Sequence, residues 1–242
     1  RVWLYVLTDI VLLFLVAPTF IVIPMSFSDS VSLRFPPQEL SWRWYEEFFT
    51  RSQWQDATWV SLQVSLLTVV LATPIGVMAA YALHVGRFRA GGLIYGALIA
   101  ALMVPLILIA IGVFFLFAQL DMVNTIPALV LTDTLLAVPF VLVTVLAGFK
   151  GYDMSQEMVA RSLGASRLKA FVTVTLPQIR SSVLAGAFFA FIIAFDEVVV
   201  ANLLSGGEGA TLTKRMFASL KDEVDPTIAA ISSMLIFLTT VP

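Results

Sequence analysis

Cysteine is missing from this 242-residue chain, histidine occurs once, at His84, and charged residues make up only 12%. Without cysteine there is no disulfide framework and no thiolate for catalysis or metal binding. A single histidine removes most transition-metal sites. No glycine-rich loop ends in Gly-Lys-Ser/Thr, so the chain is not expected to bind ATP itself. No serine sits in a nucleophile elbow, which leaves an intramembrane enzyme without a recognisable nucleophile. A net charge of −2 leaves no face basic enough for general nucleic-acid binding.

Hydrophobic residues are abundant instead, at 60% with a mean hydropathy of +0.96, against about half in soluble domains. A soluble chain of this length could not cover so much apolar surface, so the expected solvent is lipid. Runs near the roughly 20 residues a helix needs to cross hydrocarbon fall at 4–23, 60–83, 93–117, 126–149 and 183–204. A sixth begins near Thr227 and is cut short at Pro242, and Arg1 in place of methionine implies a trimmed start. The first run is too long for a signal-peptide core and lacks a small-residue cleavage site before Met25. The expected fold is an all-α membrane protein with six transmembrane helices.

Loop charge sets the expected orientation. With the N-terminus cytoplasmic, the inner segments hold the cations Arg1, Arg87, Arg89, Lys150, Arg161, Arg167, Lys169 and Arg180 against Asp153 and Glu157. The outer segments are dominated by carboxylates, and the short outer loop 119–125 carries no cation. Short loops carry the positive-inside signal best, so a cytoplasmic N-terminus is favoured. Trp3, Tyr5, Trp42, Trp44, Tyr45, Trp54 and Trp59 flank the first two runs, where aromatic belts sit. Pro18, Pro74, Pro105 and Pro139 fall inside apolar runs and are read chiefly as kinks in a packed bundle.

One sizeable polar, cationic island interrupts the second half of the chain, from Glu157 to Pro177. Glu157–Leu163 is helix-compatible, and Gly164 suits the left-handed position that ends a helix. Ser166 is placed to cap a second helix, which is expected to stop before Pro177. Two short helices joined at a glycine, with small residues at Ala160, Ala165 and Ala170, predict a compact knob; the plain alternative is an amphipathic interfacial loop.

This island resembles the EAA loop of ATP-binding-cassette (ABC) importer permeases: Glu-Ala-Ala, three residues, Gly, nine residues, a hydrophobic residue, one residue, Leu-Pro. From Gly164 the spacing lands on Val174 and on Leu176-Pro177, whereas Met158-Val159-Ala160 occupies the Glu-Ala-Ala positions. Glu157 lies one residue early, about 100° around a helix. Further stretches, Pro139–Val145, Arg161–Ser166, Phe195–Val200 and Asp225–Ala230, are similar to spermidine/putrescine importer permeases. The resemblance implies one transmembrane domain over 1–242 with a coupling loop at 150–180, in a multi-pass protein of the bacterial inner membrane. It implies a second permease, two ATPase subunits carrying ATP and Mg, and an extracytoplasmic binding protein as partners. Glu157, Ala160, Gly164, Ala165, Leu176 and Pro177 are the implied ATPase-coupling residues. Expected transport is of a polyamine by alternating access; importers of opines, aminobutyrate or phosphonates are alternatives, and an ion-coupled carrier is a further one.

Asp133, Asp196 and Glu197 lie about seven residues inside the outer ends of their runs, roughly 10 Å deep. Carboxylates at that depth normally face a bundle interior or a water-filled path, so all three are candidates for a cation pathway. The alternative is structural: Asp196 or Glu197 capping a neighbouring helix or pairing with the partner permease, and Asp133 bonding to unwound backbone. Asp9 and His84 are read as structural.

Overall fold

The computed structural model describes residues 2–31, 35–86, 91–222 and 225–240. Arg1, Arg87 and Arg89, used above for orientation, lie outside them. The described residues are almost entirely helical, with a single isolated bridge between Ser28 and Leu40. In chain order the helices are α1 (Val2–Ser26), α2 (Arg43–Thr50), α3 (Ser52–Val85), α4 (Gly91–Ala100), α5 (Leu106–Gln119), α6 (Ile126–Phe149), α7 (Ser155–Ser162), α8 (Arg167–Ala170), α9 (Leu176–Gln178), α10 (Arg180–Asp196), α11 (Val199–Leu204), α12 (Leu212–Asp222) and α13 (Thr227–Thr240).

Three of these, α1, α3 and α6, are long and apolar enough to cross a membrane as single helices. The third and fifth apolar runs differ from the uninterrupted helices expected of them. Residues 93–117 are broken at Val104–Pro105, where the helical segments on either side meet at 96°. Residues 183–204 are broken after Asp196, at Glu197 and Val198, and α10 is itself bent by 82° from the segment preceding Ile179. Counting each bent pair as one span gives five, and α13 is a shorter apolar helix of 14 residues. Pro18, Pro74 and Pro139, by contrast, sit within continuous helices.

The chain divides into two compact units, 1–58 with 214–242, and 59–213. In the first, α13 packs against α1 and α2. The hydroxyls of Ser26 and Tyr45 are 2.7 Å apart, and the rings of Phe27, Trp42 and Tyr45 cluster at 4.9–5.3 Å. In the second, α6 and α10 lie side by side. A Cβ added to Gly186 would come within 3.2 Å of Val141, so glycine permits this approach. One apolar core gathers Val64, Phe117, Leu129, Val200 and Leu204; another gathers Ala80, Val141, Val145, Phe149 and Ile179. Most of α1 leaves its large apolar side chains exposed, a surface that calls for lipid or protein rather than water.

Candidate functional site

The loop of residues 150–180 is built from the end of α6 outward. Asp153 opens α7: its carboxylate accepts from the Ser155 hydroxyl at 2.6 Å and the Ser155 N–H at 2.9 Å. Those bonds, the hydroxyl one first, hold the Asp153 carboxyl below its ordinary range. Helix α7 ends at Ser162, and Gly164 follows with φ +94°. That is the left-handed position expected of it, and a Cβ there would meet no neighbour, so backbone conformation alone favours glycine. The Ser166 hydroxyl accepts from the Lys169 N–H at 3.3 Å and opens α8.

The second helix does not stop before Pro177. Residues Phe171–Thr175 form a π-helical turn that leads directly into α9, which contains Pro177. The chain turns at Ile179 instead. A π turn widens the helix and changes which carbonyls seek donors, so proline's missing N–H is accommodated without ending the helix.

Side-chain placement on this loop is two-sided. Met158, at the motif's Glu position, is 57% exposed and Leu163 84%, with Val159 and Leu168 exposed as well. Glu157, one residue earlier, is 1% exposed. Its Oε1 accepts from the Tyr81 hydroxyl at 2.5 Å and its Oε2 from the Thr175 hydroxyl at 2.6 Å. Tyr152 in turn lies 2.9 Å from Thr175 Oγ1, and because Thr175 donates to Glu157, Tyr152 is the donor. Ala160, Ala165 and Leu176 are half-buried, while Gly164 and Pro177 are exposed. The sequence reading did not single out Tyr81, Tyr152 or Thr175. The available signals were a tyrosine near the inner end of the second run and a threonine beside the Leu-Pro of the motif. His84 stacks on Phe149, rings 4.7 Å apart.

The three deep carboxylates are placed differently from one another. Glu197 caps α11: its carboxylate accepts from the N–H groups of Val199, Val200 and Ala201 at 2.8–2.9 Å. The Thr213 hydroxyl donates to the carbonyls of Glu197 and Phe195, freed where α10 ends, at 3.2 and 3.4 Å. Asp196 is exposed. It lines a cleft of about 610 Å³ with Leu102, Pro139, Phe140, Ile193 and Glu197. Asp133, on α6, is 2% exposed, does not line the cleft, and has a carboxylate oxygen without a hydrogen-bond partner among the described residues. It is an electrostatic neighbour of Glu197. Among the described residues no cluster of His, Cys, Asp and Glu is arranged to hold a metal.

Comparison with known proteins identifies the family. The profile of the family described as "Binding-protein-dependent transport system inner membrane component" matches residues 72–242. The chain is 30% identical to the spermidine/putrescine transport system permease protein PotC of Escherichia coli K12, covering 94% of this chain and 86% of that one. It is 29% identical to PotC of Haemophilus influenzae over 95% and 89%. To the putrescine transport system permease protein PotI of E. coli K12 it is 28% identical over 97% and 85%. A bacterial ABC transporter involved in alginate import shares the fold, with a TM-score of 0.79 and 17% identity over 98% of this chain and 91% of that one. The chain therefore belongs to the inner-membrane components of binding-protein-dependent transport systems, as a permease component of an ABC importer.

Proposed function

We propose that this permease passes a small organic cation of the polyamine class from an extracytoplasmic binding protein into the cytoplasm by alternating access, driven by ATPase subunits docked on the loop 150–180. The observation that carries the docking reading is the exposed knob around Gly164. Met158, Val159, Leu163 and Leu168 present apolar surface beside Arg161 and Lys169, all held in place by a left-handed glycine. Exposed apolar residues gathered in a patch mark a protein- or membrane-interaction site, and the resemblance of this loop to the EAA loop favours a protein. The polyamine class is supported by the names of PotC and PotI and by the acidic Asp133 on α6 and Asp196 at the end of α10. The arginine-bearing inner segments support a cytoplasmic N-terminus and a cytoplasmic knob. Two ATPase subunits and a second permease complete the assembly, with ATP and Mg bound on the ATPases.

The test is Gly164→Val in the reconstituted importer. Valine at positive φ strains the backbone by about 1–2 kcal/mol, enough to reshape the knob while leaving the buried helices intact. Uptake should fall about tenfold at equal expression and insertion. Wild-type uptake would remove the loop from the coupling path. Replacing spermidine by trehalose, the substrate in the name of SugB of Mycobacterium tuberculosis, a permease 27% identical over 72% of this chain, tests the solute class.

A further inference from the structure

The loop is fastened to α3 by a buried polar tie as well as by its own chain ends. Glu157 bonds Tyr81, 76 residues earlier on α3, through one carboxylate oxygen, and Thr175, in the π turn, through the other. Tyr152, from the turn after α6, completes the chain of hydroxyls. Around it the Phe171 ring meets Tyr81 edge-on at 4.8 Å, and the Arg167 guanidinium lies 5.8 Å from the Tyr81 ring centroid. Both halves of the knob, α7 and the helix after Gly164, thus reach the same tyrosine.

A buried carboxylate is a poor means of adding stability, because its desolvation offsets much of what its hydrogen bonds contribute. What it provides is direction: both oxygens are occupied in one geometry only. Glu157 also sits beside a π turn, a feature that gathers at functional sites. We infer that Glu157 is a positioning residue for energy coupling, locking the knob to α3 so that displacement of the loop is delivered to α3 rather than absorbed within the loop. This rests on the docking reading above.

The chain has no cysteine, so spin labels can be placed without removing native thiols. In the complete importer in proteoliposomes, Ala82→Cys on α3 and Ser162→Cys on the knob, both exposed positions, would be labelled and their separation measured by pulsed EPR. Measurements would be made without nucleotide and with ATP and vanadate. The expected result is one narrow distance, unchanged between the two states, which broadens on adding Tyr81→Phe or Thr175→Val. In unlabelled complexes, the same two substitutions should lower spermidine uptake per ATP hydrolysed about tenfold, in line with loss of a hydrogen bond to a charged group, while ATPase subunits still co-purify. Glu157→Gln should retain more coupling than Glu157→Ala, since its amide still bonds both hydroxyls. A knob-to-α3 distance that changes with nucleotide in the unsubstituted chain would overturn the inference. So would a distance unaffected by Tyr81→Phe, or uptake lost only in proportion to ATPase subunits lost. Gly164→Val run alongside separates the two failures. If it leaves coupling intact, the docking reading falls and the tie with it; if it uncouples while Tyr81→Phe does not, the tie alone is wrong.

Discussion

Glu157 and Glu197 are both buried glutamates with both oxygens bonded, yet they serve opposite ends of the design. Glu197 bonds three consecutive backbone N–H groups of the helix it begins, α11, so its partners lie within four residues of it. Glu157 bonds two side-chain hydroxyls from elements 76 and 18 residues away. The first satisfies donors that a helix start leaves open, a local need that arises because α10 stops at Asp196 among apolar surroundings. The second joins α3 to two segments of the loop that lie far apart in the chain. Asp133 is a third case, with a buried oxygen that has no hydrogen-bond partner among the described residues. The lesson is that depth and charge alone do not mark a transport residue; the partners do. By that measure Asp133 and the exposed Asp196 remain the stronger candidates for meeting a cation, and Glu197 is committed to the fold.

Substitutions can break or sharpen this contrast. The largest effect is expected from Glu197→Ala, which leaves three N–H groups of α11 without acceptors and should lower stability by about 3 kcal/mol. Glu197→Gln, which keeps an acceptor, should cost about 1 kcal/mol. Thermal melts of the purified permease measure both, and equal melts for the alanine and wild-type proteins would refute the capping role. Glu157→Ala orphans only two hydroxyls, one of them only part-buried, and is expected to cost about 2 kcal/mol. Thr213→Val removes one hydroxyl shared between two carbonyls at the α10 break and should cost about 1 kcal/mol. Asp133→Asn loses no hydrogen bond found among the described residues and removes a buried carboxylate, so the melt should not fall. Its effect belongs in transport: spermidine uptake should fall while ATP turnover persists. Unchanged uptake would take Asp133 off the cation pathway.

Legibility in the sequence followed how local the cause was. Gly164 and Ser166 were readable because a left-handed helix end and a hydroxyl cap are decided by one residue and its neighbours. The same holds for Ile126–Phe149, an apolar run opened by Thr125, whose hydroxyl accepts from the Ala128 N–H. The helix breaks were not readable. Pro105 ends its helix and Pro139 does not, because the outcome depends on whether surrounding groups re-satisfy the freed backbone. The break at Glu197–Val198 has no glycine or proline to announce it. Pro177 misled for a related reason, since the π turn ahead of it absorbs what an α-helix could not. Glu157 stood in plain view, one residue off the motif, and the roughly 100° between neighbours on a helix separates its buried carboxylate from the exposed Met158.

On the proposed reading, the knob around Gly164 is where this permease meets its ATPase. The most direct measurement places a single cysteine at Leu163, 84% exposed on the knob, and a control cysteine at Asp121, between α5 and α6. Each importer complex would be treated in membranes with a short maleimide–amine cross-linker, and the products identified by mass spectrometry. A permease–ATPase adduct is expected from Leu163→Cys and none from Asp121→Cys. An adduct formed equally from both positions, or from Asp121→Cys alone, would contradict that reading.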